Sequence, residues 1–105
     1  MPKRTQKYEK SLAMSLRDPK EAAAYLNAHL DKDADDAEEL FLLALRDVAK
    51  AYGIGEIAEQ TRLGRESLYK ALSARGNPKL TTLIALLDSV GLKLNVETKK
   101  KRTAS

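Results

Sequence analysis

Apolar residues recur along this chain in blocks of helical period, separated by short polar joints. The broadest block runs from about Asp36 to Tyr52, where Phe41, Leu45, Val48, Ala49 and Tyr52 form one stripe and Leu40, Leu43 and Ala44 widen it. A helix with so wide a stripe must be covered by two neighbours, here expected to be the N-terminal helices and the segment that follows. Leu42 falls off the stripe and reads as exposed and open to a partner. Gly53 closes the block. Residues 55–73 (GEIAEQTRLGRESLYKALS) then hold two shorter helical patterns around a tight polar joint. Ile57 and Ala58 face inward in the first, Leu63 fills the joint, and Leu68, Ala71 and Leu72 recur at i, i+3 and i+4 in the second. That spacing leaves Arg65, Glu66, Ser67, Tyr69 and Lys70 pointing outward.

Upstream, Tyr8, Leu12 and Leu16 are four residues apart and predict a helix from Tyr8 to Arg17, although Leu12, Met14 and Leu16 also alternate as on one face of a strand. Asp18-Pro19-Lys20-Glu21 is a helix start. Asp18 caps, Pro19 takes the first position, where no amide donor is needed, and Glu21 has capping-box spacing. This helix runs to about Leu30, with Ala22, Ala23, Leu26 and Leu30 as its apolar side and Tyr25 beside it. Downstream, Ala74-Arg75-Gly76-Asn77-Pro78 is a loop by composition. A last helix follows from about Leu80 to Val90, with Leu80, Leu83, Ile84, Leu86 and Leu87 toward the core, and Gly91 stops it. From Leu92 the period changes to two: Leu92, Leu94 and Val96 alternate with Lys93, Asn95 and Glu97, the pattern of a short half-buried strand over 92–98. One strand makes no sheet. It must pair with residues near the N-terminus or with another copy of the chain, which motivates a homodimer.

At 105 residues, with Gly and Pro together only 8, the chain reads as one all-α domain of five to six helices with a short C-terminal β-strand. Its expected parts are a basic tail over 1–7, a helical extension over 8–33, a core over 34–91, the strand over 92–98 and a basic tail over 99–105. The chain has no cysteine, which excludes disulfides and thiolate chemistry, and it has no apolar run of membrane-spanning length. The basic N-terminus lacks the apolar segment of a secretory signal, so a cytoplasmic protein is expected. His29, the single histidine, has no companion at catalytic or metal-ligand spacing and is given no chemistry. Asp31, Asp33 and Asp35 open like a calcium-binding EF-hand loop, but Asp36 stands where that loop needs glycine and Leu42 where it needs a closing glutamate. No metal, no cofactor and no enzymatic activity are expected. The acids of 31–39 have a plainer use before an apolar run, capping the next helix and complementing its dipole.

Net charge is +4, but the distribution carries more information. Residues 1–20 sum to +4, residues 21–50 to −5, and residues 51–80 and 81–105 to +2 and +3. The half that holds the two-helix unit is therefore basic, as binding to the dense negative line of duplex DNA requires. Two short helices about a tight joint form a helix-turn-helix, which places its second helix in the major groove. The outward residues suit that position. Arg65 can pair bidentately with guanine, Glu66 can accept from a cytosine amino group, and Lys70 can reach guanine or phosphate. Ser67 is small enough to approach a base edge, and Tyr69 can meet a sugar or phosphate oxygen. Arg62, Arg75, Asn77 and Lys79 flank the second helix in loops and suit the phosphate backbone.

The segment LFLLALRDVAKAYGIGEIAEQTRLGRESLYKALSARGNPKLTTLIALLDSVGLKL resembles the Xre-like helix-turn-helix class of Cro and lambda repressor. DPKEAAAYLNAHL upstream, with SLYKALS and GNP, is similar to the HigA-like addiction-module antidotes, so the resemblance covers roughly residues 8–97. It implies a lambda-repressor-like domain with an N-terminal helical extension. It also implies an antitoxin that represses its own operator and neutralises a RelE/ParE-type toxin, with two copies placing their recognition helices about 34 Å apart. The chain departs from the pattern at three places. Arg62 stands where glycine is usual in the turn, Gly64 where serine caps the recognition helix, and Gly55 where serine caps the helix before it. Two other readings remain: a stand-alone Xre-like regulator, and a protein-interaction module with a vestigial helix-turn-helix whose acidic segment draws a basic partner.

Overall fold

The computed structural model describes residues 6–30, 35–73 and 75–99. Asp31, Asp33, Ala74 and most of both basic tails lie outside the described residues. Among the described residues six helices follow one another: α1 (Gln6–Leu16), α2 (Pro19–Leu30), α3 (Ala37–Tyr52), α4 (Ile54–Thr61), α5 (Arg65–Ala71) and α6 (Leu80–Ser89). The α1 pattern resolves as helix, and Met14 shows why: three-quarters exposed, it turns away from Leu12 and Leu16, which pack on the core. A strand would have put all three on one face.

The start of α2 is built as its residues dictate. The Lys20 amide donates to Asp18 Oδ1 at 3.0 Å, and the Ala22 amide to the Asp18 carbonyl at 2.9 Å. The reciprocal arm of the capping box is not made, because the Glu21 carboxylate accepts instead from the Ser15 hydroxyl at 3.2 Å, tying α2 to the end of α1. At α3, Asp36 is the N-cap residue but its carboxylate makes no capping bond. Glu38 and Glu39 in the first turn supply the negative charge that the helix dipole favours there.

α3 is the hub. It packs against α1 and α2 and against α4, which in turn packs against α5 and α6, so the two sets of neighbours expected for its wide stripe are both present. The Tyr25 hydroxyl fixes α2 to it by donating to Asp47 Oδ2 at 2.7 Å. His29 is a boundary residue, with Nδ1 2.8 Å from the Tyr25 carbonyl and its ring edge-on to the Tyr25 ring. One core runs through all six helices, with Leu45, Val48, Ala49, Ile57 and Leu68 fully buried at its centre and Leu16, Leu26, Leu72, Leu86 and Val90 around them.

The structure corrects three assignments of face. Leu42 is buried at 8% exposure while Leu43 is exposed. Leu42 precedes Leu45 by three positions and Ala49 by seven and so lies over the same stripe, whereas Leu43 shares its face with Arg46, Asp47 and Lys50. On α6 the buried row is Leu86, Leu87 and Val90 with Leu83 half-buried, and Leu80 (62% exposed) and Ile84 (47%) face outward. Leu30, at the end of α2, is also exposed.

The strand expected over 92–98 is not formed. α6 ends in a Schellman arrangement: Gly91, at φ +84°, donates to the Asp88 carbonyl at 3.1 Å, and the Leu92 amide donates to the Leu87 carbonyl at 2.8 Å. The helix end therefore takes the amide that would have begun a ladder. Leu92 packs on the core, but Leu94 and Val96 beyond it are exposed, with no neighbouring strand among the described residues.

Candidate nucleic-acid interface

A single residue joins α3 to α4. Gly53 donates its amide to the Ala49 carbonyl at 2.9 Å, ending α3, and accepts from the Ile57 amide at 3.0 Å, starting α4. Its φ of +127° and ψ of +108° are open only to glycine, which lets one helix follow another without a loop. Gly53 is thus the cap of α4. Gly55, expected to cap it, is the second residue inside the helix.

The joint between α4 and α5 is three residues long, Arg62 to Gly64. Thr61 organises its entry: its hydroxyl donates to the Ile57 carbonyl at 2.6 Å and accepts from the Leu63 amide at 3.3 Å. Arg62 then adopts the left-handed conformation, φ +62° and ψ +17°, the conformation that favours glycine. Leu63 is half-buried against the core, as a residue filling the joint must be. Gly64 caps α5 through its backbone, accepting from the Leu68 amide at 3.0 Å, and supplies no side-chain bond.

The conformation of Arg62 has a measurable consequence. A side chain in the left-handed region costs roughly 1 kcal/mol, so Arg62→Gly is expected to raise stability by about that amount. Thermal unfolding checks it, with an expected rise in Tm of about 4 to 8 °C.

Leu68 is fully buried and locks α5 to the core, and the other face of α5 is open. Arg65, Glu66, Ser67, Tyr69 and Lys70 are all exposed, as the pattern predicts, and so are Arg62, Arg75, Asn77 and Lys79. They do not form one uniform patch. Ser67 and Lys70 share a shallow groove with Ser73, Arg75, Gly76 and Asn77, so the loop after α5 comes back beside its C-terminal half. Gly76 permits this approach, since a Cβ there would strike the Ala71 carbonyl oxygen at the end of α5. Arg65 takes a different course, its guanidinium lying against Gly55 at the start of α4. Tyr69 faces Arg46 of α3, whose guanidinium carbon is 6.0 Å from the ring centroid.

Arg46 is the residue that sequence reasoning missed. Half-buried, with its Nε enclosed and unpaired, it lies between the hub helix and the outward face of α5. It follows Leu45 at the border of an apolar stripe, and that border position is its one signal in the sequence. No group of three or more acidic or histidine side chains among the described residues is placed to hold a metal ion.

The six helices thus present α5, with Arg65 and Lys70 on its open face, at the surface of the core. Residues 5–98 match the family model described as probable addiction module antidote protein, and the chain belongs to that family. A protein of Haemophilus influenzae, described as an uncharacterized protein, is 37% identical over 86 residues, which span 82% of this chain and 86% of the relative. No solved structure matches the chain. Membership places the protein in an antitoxin family, whose members have a toxin for a partner. No helix among the described residues is long and apolar enough to cross a membrane.

Proposed function

We propose that this antidote is also a repressor of its own promoter: α4, the joint and α5 act as a helix-turn-helix of the Xre type, and the protein neutralises a RelE/ParE-type toxin. The observation that carries the DNA reading is the open face of α5. Arg65, Glu66, Ser67, Tyr69 and Lys70 are exposed on a helix anchored by a fully buried leucine, with Arg75 and Asn77 drawn up beside Lys70. Arg65, Glu66, Ser67, Tyr69 and Lys70 supply donors and acceptors for base edges, and Arg62, Arg75, Asn77 and Lys79 serve the phosphates.

In this reading the protein is a cytoplasmic binding protein without an enzymatic step or cofactor. Two copies act together, placing their α5 helices about 34 Å apart on a palindromic site. The outward apolar residues support such a pair: Ile84 and Leu94 line one shallow hollow with Ala85 and Leu92, Leu80 lies one turn before Ile84, and Val96 is 94% exposed. Apolar surface of this kind suits a self-complementary contact.

The test has two arms. Co-expression with the product of the adjacent reading frame should relieve its toxicity and yield a copurifying complex. Titration of the upstream promoter should show binding well ahead of a scrambled duplex of equal length, with affinity falling steeply as salt rises. Equal affinity for both duplexes would remove the repressor assignment, and failure to copurify would remove the toxin assignment.

A further inference from the structure

Glycine inside a helix is unfavourable relative to alanine, so an internal helical glycine calls for a reason of space or of conformation. Gly55 is the second residue of α4 and its backbone is helical, which leaves space. A Cβ built on it would lie 2.7 Å from Arg65 Nη2, 3.5 Å from Cζ and 3.8 Å from Nε. The volume that a side chain would fill is therefore occupied by the guanidinium of the first residue of α5. Ten positions apart in sequence, the two are brought together by the short joint.

We propose that Gly55 is a positioning residue for DNA recognition: by lacking a side chain it seats the Arg65 guanidinium across the start of α4 and fixes the direction from which Arg65 presents its donors to a base. The proposal rests on the DNA reading of α5. An arginine side chain carries much rotamer freedom, and its planar fork discriminates bases only when its plane is set. Seating it in the free protein removes part of the ordering cost on binding. Alanine at position 55 would evict the guanidinium. Because the displaced group is the end of a flexible chain, the fold itself should be indifferent.

The experiment uses the full chain, with Gly55→Ala, Arg65→Ala and the double variant. In the DNA-free protein, NMR relaxation of the Arg65 Nε–H group should show it more restrained than that of Arg75, and Gly55→Ala should abolish the difference. In promoter titrations Gly55→Ala should weaken binding about tenfold, yet cost nothing further when added to Arg65→Ala. Equal losses in both backgrounds, or no loss at all, overturn the proposal. A mobile Arg65 in a wild-type chain that still prefers its promoter overturns the seat alone. A restrained Arg65 with no promoter preference overturns the DNA reading, and the proposed role with it. Should Gly55→Ala fail to fold, Arg65→Lys supplies the second arm: it keeps the charge but cannot fill the seat, so retained base discrimination in that variant overturns the proposal.

Discussion

Leu68→Ala should lower the stability of the chain by about 3 to 4 kcal/mol, the largest effect expected of any single truncation on α5. Leu68 is fully buried at the centre of the core and is the one buried side chain within α5, so nothing else in that helix can compensate. The loss combines the transfer of its methyl groups with the cavity left behind, because the fully buried core it belongs to, with Leu45, Val48 and Ile57, can collapse only in part. Against the ~5 to 15 kcal/mol that holds a typical domain, this is a large fraction. Tm should fall by roughly 15 °C or more. Leu80→Ala, which the sequence pattern would rank with it, should move Tm little, since Leu80 is 62% exposed. Its effect should appear in self-association. Urea titration with sedimentation on both variants checks the contrast, and equal destabilisation would mean that the α6 face is buried differently.

Arg65→Ala combined with Lys70→Ala should weaken promoter binding about 100-fold or more at near-physiological salt. A bidentate arginine–guanine pair is worth ~1 to 3 kcal/mol, and the loss of a lysine adds a further electrostatic share. The two changes should separate by salt dependence. Loss of Lys70, which lies in the groove with Arg75 and Asn77, should reduce the slope of log affinity against log salt by about 1, as for one phosphate contact. Loss of Arg65 should relax the preference for one base pair. Fluorescence titration across a salt series, with single base-pair variants of the promoter, measures both. Unchanged affinity and slope in the double variant would sink the assignment of α5 as the reading helix. Both residues are exposed, so the unfolding curve should stay close to wild type.

The order and nature of the helices were readable because a helix is closed by bonds four residues apart and its apolar stripe obeys the same period. Pro19 after Asp18, Gly53 and Gly91 marked helix ends that the backbone then uses. The strained turn at Arg62 was visible as a departure from the family pattern and appears as a positive φ. Facing was less secure. Leu83, Leu86, Leu87 and Val90 already made a complete stripe at i, i+3, i+4 and i+7, and counting Leu80 and Ile84 into the core spread that stripe over surface. The alternation after Gly91 is a true period of two, but pairing is a property of two segments, and no second strand lies beside it among the described residues.

What the sequence by itself determined is the succession of helices, the helix ends at Pro19, Gly53 and Gly91, and the exposure of the five outward residues of α5, since each depends on neighbours within one or two turns. The tertiary structure decided which of two adjacent leucines, Leu42 or Leu43, enters the core, and it brought Arg46 to Tyr69 and Arg65 to Gly55. Those contacts link positions 10 to 23 residues apart. Periodicity cannot specify them, because they depend on how α3, α4 and α5 pack together, and the packing is chosen by the shape of the whole core.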